Sequence, residues 1–147
     1  MGTQNNELSF WSCGCADESE LREAVLALAA NGDRLDKMDL VWLARVDVEK
    51  AAVAINPSPD HANTPVEAEK KRHVDFTRLD LERLSRIARL MRDAIASDNW
   101  KRFGKNDVLN VLVKAVREGR LKTEQLKDGL RKKVEAAMLE AEPPGGS

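Results

Sequence analysis

Arginine recurs at every third position in the stretch RLSRIARLMR, residues 83–92. On an α-helix a spacing of three steps back by about 60° each time, so Arg83, Arg86, Arg89 and Arg92 fan over about half of the circumference. The intervening residues are mostly apolar and recur at spacings of three and four, which predicts a side that faces a core. We therefore expect a helix with one buried side and one cationic side, and the cationic side could meet water, an acidic protein or a nucleic acid.

Residue patterns typical of enzymes are nearly absent. The sequence has no Gly-rich phosphate loop, no GxSxG or HExxH motif and no tyrosine, and its only histidines are His61 and His73. Cys13 and Cys15 are zinc-type ligands, but a Cys-x-Cys pair followed by two distant histidines fits no common zinc-finger spacing. The sequence therefore predicts a protein that is not an enzyme, with no cofactor and no metal site.

The formal net charge of −1 hides an uneven distribution of charge along the chain. Residues 1–69 hold five Lys and Arg against thirteen Asp and Glu, a net charge of −8, whereas residues 70–147 hold nineteen against twelve, a net charge of +7. A basic segment of this kind is usual for domains that meet phosphate.

Targeting signals are also absent from the sequence. No run of about eighteen apolar residues occurs, and the first residues have neither a basic flank nor a long apolar stretch. Two cysteines only two positions apart cannot form the framework of an extracellular disulfide-rich domain. We therefore expect a cytoplasmic protein that does not interact with a membrane.

The reversal of charge coincides with a change in composition, which predicts two modules. Residues 1–55 are expected to form an acidic helical module with a first helix over about 18–31. Residues 56–69 contain prolines, Asn and Asp without an apolar period and are expected to be a linker. Residues 70–142 are expected to form a basic helical module, and residues 143–147 a disordered tail.

Apolar periodicity predicts three helices in the basic module, over about 79–96, 104–121 and 123–141, with a loop at 97–104. Only the segment around 72–77 alternates between apolar and polar residues, with Val74 and Phe76 on one side and polar residues on the other. The predicted fold class is therefore mainly α with at most one short strand, either a plain helical bundle or a ribbon-helix-helix-like arrangement.

A short strand followed by two helices, in residues 72–121, resembles the ribbon-helix-helix family of small dimeric DNA-binding regulators. In that family, strands from two chains pair and enter the major groove, and the second helices cross at the centre of the dimer. The resemblance implies that His73, Asp75 and Thr77 face bases, and that Gly104, Lys105 and Asn106 lie at a phosphate, where backbone N–H groups at a helix start suit an anion.

Two functions are consistent with these patterns. The first is a dimeric DNA-binding regulator whose basic module contacts duplex DNA. The predicted nucleic-acid-binding residues are Lys71, Arg72, His73, Thr77, Arg78, Arg86, Arg89, Lys101, Arg102, Lys105 and Asn106. The second is an all-α interaction protein, an adaptor or an inhibitor of a larger assembly, that uses the arginine side of the helix and the apolar surface of residues 38–55 against an acidic protein partner.

The protein is expected to form a homodimer. Apolar residues in 105–118 and in 38–55 cover more than one side of the predicted helices, which is more than one neighbour within the chain can bury. The dimer is therefore predicted to form through one of these two segments.

Overall fold

The computed structural model describes residues 7–140, so the predicted tail at 143–147 lies outside the described residues. The described strands are β1 (Leu8–Trp11), β2 (Met38–Val41), β3 (Ala54–Pro57), β4 (His73–Thr77) and β5 (Trp100–Phe103). The described α-helices are α1 (Glu18–Ala29), α2 (Arg45–Lys50), α3 (Leu81–Ala96), α4 (Lys105–Arg117) and α5 (Asp128–Glu140). Short 3-10 helices cover Pro59–His61, Glu67–Arg72 and Thr123–Gln125.

The predicted fold class is wrong, because this part of the chain is a mixed α and β fold rather than a helical bundle. It contains a three-stranded antiparallel sheet in the order β1-β4-β3 and a two-stranded antiparallel sheet of β2 and β5. Each strand is only four or five residues long, too short for an alternating pattern to stand out from the surrounding sequence. The one strand that was predicted, at 72–77, is confirmed as β4.

The central strand of the larger sheet has two chemically different sides. Val74 and Phe76 belong to an apolar cluster, and Phe10 of β1 stacks on Phe76 with ring centroids 3.9 Å apart. On the other side, His73 and Asp75 are also buried, because the chain that follows β3 packs over them. The predicted alternation is therefore present, but its polar side does not face solvent.

The two predicted modules are interleaved in the structure. β1 pairs with β4 and β2 pairs with β5, so each sheet joins strands from both sides of residues 56–69. Helix α1 also packs against α4 and closes the larger core. Residues 1–55 thus have no sheet of their own in the described structure.

The predicted linker at 56–69 is part of the folded core rather than a spacer. Asn56 and Pro57 belong to β3, and the backbone N–H of Ser58 donates to the carbonyl of His73 at 2.9 Å. Thr64 and Glu69 are buried. Pro57 is the last residue of β3 and Pro59 is the first residue of a 3-10 helix, so neither proline separates this segment from the sheet.

Helices α1, α3, α4 and α5 confirm the predicted helices to within a few residues, except that α5 starts at Asp128. Asp17 and Asp80 are N-caps whose carboxylates accept from backbone N–H groups of the first turn, as expected for this residue type. Residues 38–55 instead form β2, the short helix α2 and β3.

Two apolar clusters form the interior. The larger one joins α1, α4, α5 and β5 around the fully buried Leu112, and the smaller one joins the larger sheet to α2 and α3 around Ile87. Helix α4 packs on both α1 and α5, so its wide apolar surface is covered within the chain. Within residues 7–140, no helix combines the length and hydrophobicity needed to cross a bilayer.

Candidate functional site

A cavity of about 410 Å³ lies where the two apolar clusters meet without filling the space between them. Both sheets and helices α1, α2 and α3 contribute to its walls. Aromatic side chains line much of it, namely Phe10, Trp11, Trp42 and Phe76. Its volume falls in the range of small-molecule sites, which are concave, mostly apolar and equipped with a few polar groups.

The charged groups in the cavity wall differ in whether they already have a partner. Glu20 is paired with Arg72, and Asp39 is paired with Arg102. Arg45, the first residue of α2, also lines the cavity and is exposed, and it forms no ion pair with any residue of 7–140. The cavity therefore presents an apolar wall and one uncommitted cation.

Cys13 also lines the cavity, but its thiol is poorly suited to act as a nucleophile. Partial burial, together with the nearby Glu20 carboxylate, raises the pKa of Cys13. The pKa of Cys15 is raised as well, chiefly by its hydrogen bond to Asp17. Both thiols are free, and reactive cysteines depend instead on a lowered pKa.

A polar cluster lies beneath the polar side of β4. Ser58 Oγ is 2.8 Å from Nδ1 of His73, and Nδ1 of His61 is 2.7 Å from Oδ2 of Asp75. Ser9 donates through its hydroxyl to Oδ1 of Asp75 at 2.9 Å. Ser58 and Asp75 both approach Nδ1 of His73, Asp75 at 3.9 Å, whereas a Ser-His-Asp triad needs them on opposite ring nitrogens. The cluster therefore lacks the geometry of a serine nucleophile.

The ionisation of the His61–Asp75 pair follows from its contacts. Burial alone would raise the pKa of Asp75, but hydrogen bonds from His61, Ser58 and Ser9 outweigh it and lower that pKa. The same hydrogen bond and the charge of Asp75 raise the pKa of His61. The contacts therefore favour the ionised carboxylate and the charged imidazole.

Half of the lysines and arginines that were predicted to bind nucleic acid are already paired with carboxylates of this chain. Lys101 binds Glu18, Arg72 binds Glu20 and Arg102 binds Asp39, each acid coming from the N-terminal segment. Arg120 and Lys127, which were not predicted as site residues, likewise bind Glu23 and Asp33. The opposite charges of the two segments therefore neutralise each other across the fold.

Two arginines of the regular repeat stabilise a neighbouring helix. Arg83 donates to the carbonyl of Ala52 at 2.9 Å, and Arg86 donates to the carbonyl of Ala51 at 3.0 Å, both at the end of α2. Cationic side chains commonly satisfy the last carbonyls of a helix in this way. Arg83 and Arg86 also pair with Asp80 and Glu82 of α3.

The remaining predicted residues differ in their access to solvent. His73 is only 5% exposed, and Thr77 accepts a hydrogen bond from Asn56. The exposed residues that form no ion pair within 7–140 are Lys71, Arg78, Arg89 and Lys105, and Asn106 is also exposed. Arg89 lies with Lys50 and Arg86 in a groove of about 290 Å³ between α2 and α3.

Sequence patterns could not have identified the cavity, because its walls come from segments distributed between residues 9 and 91. The cluster of Ser9, Ser58, His61 and Asp75 was missed for the same reason, since Ser9 and Asp75 meet only through the pairing of β1 with β4. The sequence shows that cationic residues are abundant, but it does not show which of them are paired with carboxylates.

No protein-family model matches the chain, and no curated protein or solved structure is significantly similar to it. In the ribbon-helix-helix family the strand pairs with that of a second chain, whereas both edges of β4 are occupied here by β1 and β3. The arrangement thus differs from the one that the resemblance implies.

Proposed function

We propose that the protein binds a small, largely apolar molecule that carries one anionic group. The observation that supports this proposal is the aromatic-lined cavity of about 410 Å³, with Arg45 at its wall as a cation lacking an ion-pair partner among residues 7–140. The apolar body of the ligand would fill the space between the two apolar clusters. Its anionic group would pair with the guanidinium of Arg45, a planar fork that suits a carboxylate, sulfonate or phosphate.

Two fluorescent probes that differ mainly in charge can test this proposal. Anilinonaphthalene sulfonate is an aromatic anion, and N-phenyl-1-naphthylamine is a neutral molecule with the same type of aromatic body. We expect both to bind the full chain and to change the fluorescence of Trp11 and Trp42, which line the cavity. Arg45→Gln should weaken binding of the anionic probe by roughly tenfold and leave the neutral probe nearly unchanged, because it removes a hydrogen bond to a charged group, worth roughly 1.5 kcal/mol, and 1.4 kcal/mol corresponds to about tenfold in affinity.

A second substitution tests the cavity itself. Ala24→Phe places a ring in the wall on α1 and should weaken binding of both probes by about tenfold or more, because it removes the volume that they occupy. The matched controls are Arg117→Gln and Ala136→Phe, which change exposed residues away from the cavity. Circular dichroism would check that the variants are folded. Equal probe binding by the parent and by Ala24→Phe would overturn the proposal.

Duplex DNA is a second candidate ligand, favoured by the groove between α2 and α3. Lys50 and Arg89 line that groove and form no ion pair with any described residue. If DNA binds there, its affinity should fall steeply with salt, and Arg89→Gln should reduce the slope by about one unit. Arg86 is a poor choice for this test because it also binds α2. Negligible binding at physiological salt, or a slope unaffected by Arg89→Gln, would exclude this groove as the DNA site.

The homodimer, the acidic protein partner and the absence of enzymatic activity remain predictions from the sequence. A cytoplasmic location remains part of the proposal as well, and the two free, exposed cysteines are compatible with a reducing compartment.

A further inference from the structure

Three side chains with metal-binding atoms converge beside the polar side of β4. Glu7 immediately precedes β1, His61 ends the 3-10 helix Pro59–His61, and Asp75 lies in the middle of β4. One carboxylate oxygen from each acid and one ring nitrogen of His61 lie within 4.8 Å of one another. The pairing of Ser9 with Asp75 places Glu7, two residues before Ser9, on the same side of the sheet.

The carboxylate of Asp75 is oriented before any ion binds. The residue is 3% exposed, and the hydroxyl of Ser9 donates to Oδ1 at 2.9 Å. Oδ2 therefore faces Nδ1 of His61, at 2.7 Å. Metal ligands are commonly fixed by outer hydrogen bonds of this kind, which hold the donor atoms in place. Ser9 would have that role here.

We propose that Glu7, His61 and Asp75 form a binding site for one divalent transition-metal ion, with Zn²⁺ the best fit. The imidazole is a borderline ligand that suits Zn²⁺, Asp and Glu carboxylates also bind Zn²⁺, and three protein ligands leave a fourth position of a tetrahedron open for water. Ca²⁺ and Mg²⁺ prefer oxygen ligands alone, so the imidazole disfavours them. This site is separate from the proposed ligand cavity, and its existence does not depend on that proposal.

Binding of the ion requires that the metal replace the proton on Nδ1 of His61. The proton on Nδ1, now shared with Oδ2 of Asp75, leaves for solvent, and the nitrogen lone pair then binds the metal. Two carboxylates balance the charge of the divalent ion, so the site becomes neutral overall. The side chain of His61 is 64% exposed, which leaves a path by which the ion can enter.

The test must separate this site from the two cysteines. Cys13 and Cys15 are exposed and free, and thiolates also bind Zn²⁺. The parent for the measurements is therefore the full chain with Cys13→Ser and Cys15→Ser. Titration with Zn²⁺ by calorimetry should give one ion per chain, and Co²⁺ should give visible absorption bands without the thiolate-to-metal band of a cysteine site.

Substitutions in that background identify the ligands. His61→Ala and Glu7→Gln should each weaken Zn²⁺ binding by at least about tenfold, and Ser9→Ala by about 10–100-fold through the orientation of Asp75. Both ligand substitutions change exposed residues, so they should leave the fold intact. Asp60→Asn is the control, because it removes an exposed carboxylate next to His61 that is not part of the site. Zn²⁺ binding that disappears with the cysteines, or that persists unchanged in both ligand variants, would overturn the proposal.

Discussion

Replacing Leu112 with alanine is expected to lower the free energy of unfolding by about 2–5 kcal/mol. Leu112 is fully buried in the cluster that joins α1, α4 and α5. Shortening it removes apolar contacts and leaves a cavity that the surrounding helices can close only in part. Denaturant unfolding followed by circular dichroism would measure the loss as a lower midpoint.

Asn110 provides the matched control on the same helix. It is exposed, and Asn110→Ala should change the free energy of unfolding by no more than about 0.5 kcal/mol. The dependence of unfolding on protein concentration also tests the predicted dimer. If α4 packs only within the chain, the unfolding midpoint of the parent does not depend on protein concentration; if α4 forms a dimer interface, that midpoint falls as the protein is diluted. Equal stabilities of the two variants would contradict the assignment of Leu112 to the core.

Local chemistry made the long helices predictable. The helix-starting role of Asp17 and the apolar spacing in 84–95 depend only on neighbours within a few residues. The strands β1, β2 and β5 could not be predicted in the same way. Each is four residues long and is defined by a partner about sixty residues away, so its own sequence contains little of the information that determines it.

The distribution of charge along the chain likewise did not reveal which charged residues pair with each other. The sequence predicted an acidic segment and a basic segment and assigned the basic one to an external partner. Three-dimensional proximity instead brings Glu18 to Lys101 and Asp39 to Arg102. Exposed pairs of this type contribute little stability each, but they reduce the charge available to bind DNA. Arg45, which was not predicted, remains available because no carboxylate of 7–140 reaches it.

One ion-pair cluster between the acidic and basic segments is partly buried, so substituting its arginine is expected to change the free energy of unfolding strongly. Arg120 donates to Oε1 of Glu23 at 2.9 Å, also binds its second carboxylate oxygen, and reaches Oε1 of Glu69 at 3.5 Å. Burial, together with the nearby Glu23, raises the pKa of Glu69, whereas the hydrogen bond from Arg120 lowers the pKa of Glu23. The arginine thus holds two carboxylates together that would otherwise repel each other.

Arg120→Leu should therefore lower the free energy of unfolding by about 1–3 kcal/mol near neutral pH, because Glu23 loses its main cationic partner and Glu69 keeps only Arg72, at 3.4 Å. Arg117→Leu is the control, since Arg117 is exposed and forms no ion pair within 7–140. Thermal or denaturant unfolding would measure both variants. Adding Glu69→Gln to Arg120→Leu should restore part of the loss, because it removes one of the two facing charges.

The size of the loss should also depend on pH in a defined direction. A carboxyl group whose folded-state pKa is raised, such as Glu69, stabilises the fold below its unfolded value of 4.5, and this contribution disappears as pH rises through the folded value. In the parent, Glu23 has a lowered pKa, so its contribution is present above 4.5 and disappears as pH falls through the folded value. Removing the guanidinium should raise the pKa of both carboxyl groups in the folded variant above their values in the parent, so the folded variant binds more protons and its deficit is smaller at about pH 5 than at about pH 7. A deficit that is the same at both values would show that Arg120 stabilises the fold through the packing of its aliphatic stem rather than through its charge.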